Sequence, residues 1–284
     1  MRTNTKLCYL AFTTYTVFFS FVYSAAKYTG CDPNFEKLSQ GSNTTEVIKK
    51  MYEYLNQGGT NKNNNNINNN SQVPKDSNTL PKYCQKVTTN FSSSSDLSLF
   101  NIEYCSQNVK LGKDGLQLDL TSECGTTLVY AQPFIKGKVE VVMKPAPGSG
   151  AVTALVLSGP PPSDEIDIEF VGISSDSMQS MFFVKGQRID PLAKFHSISP
   201  IADLTLSFNT YAFEVTDNAV NWFLNGDLVR TLPKNNSLEF PGNTDNFRFG
   251  VWDGTNFPNF AGFIDYSSGI KSAFIKSISI SPYC

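Results

Sequence analysis

The chain has 284 residues, 23 basic against 25 acidic side chains and a formal net charge of −2. That balance gives no electrostatic reason to expect a nucleic-acid or anionic-lipid partner. Its single histidine, His196, excludes a multi-histidine metal site, and any histidine-based triad would rest on that one residue.

In chain order, Arg2 and Lys6 precede an apolar run from Leu7 to Val22, followed by the small residues Ser24, Ala25 and Ala26. This is the pattern of a secretory signal peptide, expected to be removed after residue 26. At about 15 residues the run is shorter than the roughly 20 needed to cross a bilayer, so no membrane anchor is expected. The C-terminal Ser281-Pro-Tyr-Cys284 also lacks the hydrophobic tail of a lipid-anchor signal. Removing the signal leaves 21 basic against 25 acidic side chains, a net −4. The expected product is secreted, extracellular or held in a cell wall.

Residues 27–93 read as an N-terminal cysteine-bridged segment. Glu46–Leu55 has helical spacing, and Asn61–Ser71 is almost pure asparagine, a composition that cannot bury enough apolar surface to offset chain entropy. The second stretch is expected to be a disordered insertion. Of six cysteines, Cys8 lies in the signal, leaving Cys31, Cys84, Cys105, Cys124 and Cys284. The expected pairs are Cys31–Cys84 and Cys105–Cys124, with Cys284 free, cross-linked to a partner, or replacing one of these. Acceptor sequons at Asn43, Asn69, Asn90 and Asn235 fit a secretory route.

Residues 94–284 read as one all-β domain. Leu116–Leu120, Val139–Met143, Phe247–Val251 and Ile278–Ile280 alternate with period two, the signature of half-buried strands. Gly150–Leu157 is a continuous apolar run and reads as a buried strand. Asn225-Gly226, set between Asn221–Leu224 and Leu228–Arg230, predicts a hairpin with a type I′ turn. Many short strands over this length predict a two-sheet jelly-roll sandwich, with Phe182, Phe183, Phe213, Trp222 and Phe249 filling its core.

One segment carries chemistry: Glu165-Ile-Asp167-Ile-Glu169-Phe170. On a strand, Glu165, Asp167 and Glu169 share one face and the apolar residues share the other. The glutamate α-carbons lie about 13 Å apart at ~3.3 Å per residue. Their side chains can converge toward the roughly 5–5.5 Å carboxyl separation of a retaining glycosidase. Three carboxyls in one cleft cannot all ionise easily, so one can stay charged as nucleophile while another keeps a proton as acid. The opposing reading, a solvated acidic strand edge, fits poorly beside the apolar run at Gly150–Leu157.

This hexapeptide resembles the E-x-D-x-E active-site strand of glycoside hydrolase family 16. The order Gly148-Ser-Gly150, Asp164–Gly172, Gln179–Phe183, Phe208–Tyr211, Trp222–Gly226, Val229-Arg230 and Gly250–Gly254 resembles the family's fungal Crh-type branch, cell-wall transglycosylases that move chitin chains onto β-glucan. The resemblance implies a concanavalin A-like jelly roll with a concave substrate cleft. It makes Glu165 the nucleophile, Asp167 its assistant and Glu169 the acid/base, with no cofactor and no metal. The implied partner is a polysaccharide, chitin and/or β-glucan. Trp252 is then a stacking platform, Gln179 and Tyr211 donate or accept hydrogen bonds to sugar hydroxyls, and Phe170 stands at the cleft rim. The chain departs from the branch at Phe170, Ile173, Met181–Phe183, Asn209 and Asp253, where the branch has Trp, Gly, Asn-Tyr-Phe, His and Gly. The acids are intact, but the sugar-contacting wall differs. The rival readings are a β-glucan hydrolase of the same fold, a catalytically weak wall-binding protein, and a lectin that holds sugar without a covalent intermediate.

Overall fold

A computed structural model describes residues 82–188, 192–198, 203–235 and 240–284. The expected signal segment, Cys31, the Glu46–Leu55 stretch, the asparagine tract and the sequons at Asn43 and Asn69 lie outside them. Asn90 and Asn235 are both exposed.

Two antiparallel sheets build the domain. The first runs in the order β14 (Asp227–Pro233), β13 (Ala219–Leu224), β12 (Asn209–Val215), β6 (Gly137–Lys144), β16 (Lys271–Pro282), β4 (Gly115–Leu120) and β3 (Val109–Gly112). β1 (Val87–Thr89) also pairs with β16, so the sandwich takes in residues the sequence assigned to the N-terminal segment. The second sheet runs β10 (Gln187–Arg188), β9 (Ser177–Val184), β8 (Glu165–Val171), β7 (Ala151–Ser158), β15 (Asn246–Asp253), β5 (Thr126–Tyr130) and β2 (Phe100–Tyr104), with β11 (Lys194–Ser197) also on β9. The one α-helix among the described residues is a single turn, α1 (Pro258–Ala261).

The alternation in the sequence fixes which face each strand buries. In β6, Val139, Val141 and Met143 enter the core while their neighbours are half-buried. A one-residue slip would move all three to the other face. β7, β8 and β9 are buried on both faces along nearly their whole length. Their inner side chains, such as Leu155, Ile166, Ile168 and Phe182, join Trp222, Phe213, Phe247 and Phe249 in one cluster between the sheets. Phe183 does not join them: it is opposite Glu165 and is buried on the other face. At the β13–β14 turn, Asn225 and Gly226 take φ values of 51° and 90°, the left-handed angles that a type I′ turn requires.

The disulfides are Cys105–Cys124 and Cys84–Cys284. The second corrects the expected Cys31–Cys84 pair. Cys84 lies just before β1 and Cys284 just after β16, and because β1 pairs with β16 the two cysteines are brought together. Strand pairing across 200 residues of separation leaves no local signal in the sequence.

Candidate active site

β8 occupies the middle of the second sheet, so the residues around it can be placed by register. Glu165 lies beside Phe183 and Ser158, Asp167 beside Met181 and Val156, and Glu169 beside Gln179 and Ala154. One strand further, Arg248 lies beside Val156 and Gly250 beside Ala154, with Trp252 one step along beside Val152. On the other flank Arg188 is opposite Phe183 and Phe195 is opposite Gln179. Directly opposed residues share a face, so all of these share the face turned away from the core.

The three acids are buried on that face: Glu165 is 6% exposed, Asp167 0% and Glu169 9%. Burial pushes the Glu165 carboxyl up to about 8, the nearby Glu169 adding to the rise while Asp167 and Arg248 oppose it. Burial likewise lifts Glu169 to about 7, against the pull of Arg188. Asp167 is raised well above the usual carboxylate range by burial and by both neighbouring glutamates. Glu165 and Asp167 are within hydrogen-bonding reach of each other, and neither Asp167 oxygen meets an amide, hydroxyl or cationic donor. One carboxyl must therefore donate to the other. Asp167, with the strongest reason to keep its proton, is the donor, and its hydrogen bond favours the Glu165 carboxylate against the burial that raises that group. The three titrate as one coupled set.

β8 is held at its entry and from behind. Asp164, at its entry, accepts from the Lys185 amide at 2.8 Å and the Asn243 amide at 2.9 Å. Trp222, from the first sheet, crosses the core and donates its indole N–H to the Asp167 carbonyl at 3.0 Å. The buried Arg230 stacks on Trp222 and donates to the Ser180 carbonyl at 2.7 Å and hydroxyl at 3.0 Å, fixing the neighbouring β9.

Among the described residues, seven buried side-chain polar atoms have no partner within the protein beyond the carboxyl–carboxyl contact of Glu165 with Asp167. Six belong to this face: Glu165 Oε1, both Asp167 oxygens, Gln179 Oε1, Arg248 Nε and Trp252 Nε1. Buried polar groups are normally hydrogen-bonded, so their concentration on one face marks a surface made to receive polar groups from outside.

Trp252 is half-buried, packs near Val152 and Val171 and meets Phe257 edge-on at 6.2 Å. Gln179 is on the same face, directly beside Glu169. Two expected sugar contacts are corrected. Phe170 is 3% exposed and Tyr211 0%. They meet edge-to-face inside the core at 4.5 Å between ring centres. Phe170 shares the inward face of β8 with Ile166 and Ile168, and Tyr211 shares that of β12 with Phe213. Neither reaches the face that bears the acids. Arg188, Arg248 and Phe195 were not singled out from the sequence. For Arg248 the signal was present, since 248, 250 and 252 share one parity on a strand and Trp252 was already placed toward the cleft.

The model of glycosyl hydrolases family 16 matches residues 97–268. Crh-like protein CRH11 of Candida albicans is 33% identical over 182 residues, covering 61% of this chain and 39% of the relative. Crh-like protein 5 of Aspergillus fumigatus is 31% identical over 204 residues, covering 68% and 50%. The chain thus spans half or less of the length of these relatives. The solved Crh5 transglycosylase in complex with NAG superposes with a TM-score of 0.64 at 29% identity, over 70% of this chain and 84% of that one. A Bacillus licheniformis β-glucanase superposes with a TM-score of 0.62 at 22% identity, over 70% and 98%, a likeness of fold.

Proposed function

This chain belongs to glycosyl hydrolase family 16, and we propose that it is a retaining transglycosylase of cell-wall polysaccharide, moving chitin chains onto β-glucan. The observation that carries the reading is the buried Glu165–Asp167–Glu169 face of β8 with its unpartnered polar rim. The relationship to Crh-like proteins and to the Crh5 transglycosylase supports it.

In the first step Glu165 attacks the anomeric carbon as its carboxylate, the form that the Asp167 hydrogen bond favours and that burial makes the minor one at neutral pH. The glycosidic C–O bond breaks, and Glu169 gives its proton to the departing oxygen. Asp167 keeps its proton in a hydrogen bond to Glu165, which orients the nucleophile and takes up the charge returned when the ester is later cleaved. In the second step Glu169, now ionised, removes the proton of an acceptor hydroxyl. That oxygen attacks the anomeric carbon and releases Glu165. A sugar acceptor gives transfer and water gives hydrolysis, with the same carboxylates in the same roles. Trp252 stacks on a pyranose ring of the chain, and Gln179 hydrogen-bonds a hydroxyl beside Glu169. The leading apolar segment, the exposed sequons at Asn90 and Asn235 and the two disulfides support a secreted, wall-associated product.

The test is incubation of the purified protein with chitin oligosaccharides and a fluorescent β-1,3-gluco-oligosaccharide acceptor, with Glu165→Gln in parallel. Fluorescent products longer than the acceptor, absent with the variant, are the expected result. Shortened donor without labelled product would make the chain a hydrolase. No change in either sugar would leave a binding protein.

A further inference from the structure

We propose that Phe195 is a second sugar-stacking platform, seating a pyranose ring of the polysaccharide on the flank of the acids opposite Trp252; this rests on the carbohydrate reading given above. Glu169 on β8 is opposite Gln179 on β9, and Gln179 is opposite Phe195 on β11, so the three form one row across the sheet on a single face. Phe195 lies two strand spacings from Glu169, about 9–10 Å at ~4.8 Å per strand. Trp252 lies on β15, two strands from β8 in the other direction. The scissile bond at the acids is thereby bracketed by an aromatic ring on each side, and the four spacings between the rings, about 19 Å, accommodate a chain of several sugar units.

Two features separate Phe195 from an ordinary surface phenylalanine. It is 56% exposed although its row runs straight into the buried catalytic group. The residue between it and Glu169, Gln179, is 2% exposed with its Oε1 lacking any partner in the protein. An apolar ring face beside an unsatisfied buried acceptor matches a pyranose ring, which offers C–H groups on its face and hydroxyl donors at its edge. Lys194 and His196 alternate to the opposite face of β11, where His196 meets Ser180 at 2.8 Å. The aromatic residue is thus the one that β11 presents at this point of the cleft.

The test measures binding by calorimetry in the full chain carrying Glu165→Gln, which removes turnover, with chitin hexasaccharide and β-1,3-glucan hexasaccharide as probes. Phe195→Ala should weaken at least one of them about three- to tenfold, the range of one lost aromatic stacking contact. Phe195→Trp should restore the affinity and report the sugar through a change in indole emission. The unfolding temperature, measured alongside, should change little, because the ring is exposed. If Glu165→Gln binds a hexasaccharide and Phe195→Ala binds both probes equally well, Phe195 is no subsite and the proposed function stands. If Glu165→Gln binds neither hexasaccharide and the unaltered protein turns over no sugar, both ideas fall together.

Discussion

Replacing Glu165 with glutamine should stabilise the folded chain at neutral pH while abolishing turnover. The carboxyl rises from an ordinary 4.5 to about 8 on folding, so between those values the native state holds a proton that the unfolded chain has released. Stability therefore falls as pH rises through this window and is unaffected below it, where both states are protonated. At pH 7 the window has been crossed for about 2.5 pH units, and at ~1.4 kcal/mol per unit the cost is roughly 3 kcal/mol. Glutamine has nearly the same shape and never ionises, so it carries no such cost at any pH in this range. For a domain of this size the gain corresponds to about 5–10 °C in unfolding temperature. Thermal melts of both proteins from pH 4 to pH 8 are the assay. The expected curves coincide near pH 4 and separate steadily toward pH 8. A variant no more stable at pH 7, or one stabilised equally at pH 4, would refute the placement of Glu165 as a buried, charge-crowded group.

Other outcomes follow from the surrounding residues. Arg188 pulls the Glu169 carboxyl down, so Arg188→Met should move the alkaline limb of the pH–rate profile to higher pH, and Arg188→Lys should return most of it; an unmoved limb would separate Arg188 from the acid. Trp222→Phe removes the bond to the Asp167 carbonyl. It should cost about 1–2 kcal/mol in urea unfolding and lower turnover by more than the unfolded fraction explains; full turnover in the folded variant would show that β8 is not held from the other sheet. The double variant Cys84→Ser/Cys284→Ser opens a 200-residue loop and should lose about 2–5 kcal/mol in denaturant unfolding, while peptide mapping of the oxidised protein should find Cys84 joined to Cys284.

What the sequence discloses depends on how far apart in the chain the cause lies. Strands, the Asn225-Gly226 turn and the outward face of Glu165, Asp167 and Glu169 follow from period-two alternation and turn chemistry, all contained within a few residues. The same parity places Phe170 inward with Ile166 and Ile168, and reading it strictly would have kept Phe170 out of the cleft. Tyr211 follows the same rule: its strand alternates so that Tyr211 and Phe213 share the core face, and the family resemblance carries a residue's type but not the face it occupies. The Cys84–Cys284 bridge, the Trp222 bond to Asp167 and the row from Glu169 through Gln179 to Phe195 all depend on pairing between distant strands, whose order local periodicity does not specify. These long-range pairings also determine the chemistry. Three acids on one strand become a coupled, buried carboxylate set only when β9 and β15 bring Gln179, Arg248 and Trp252 to the same face and the sandwich buries them together. Each carboxyl's tendency to hold its proton is thus a property of the assembled sheet, while its position on β8 is a property of the sequence.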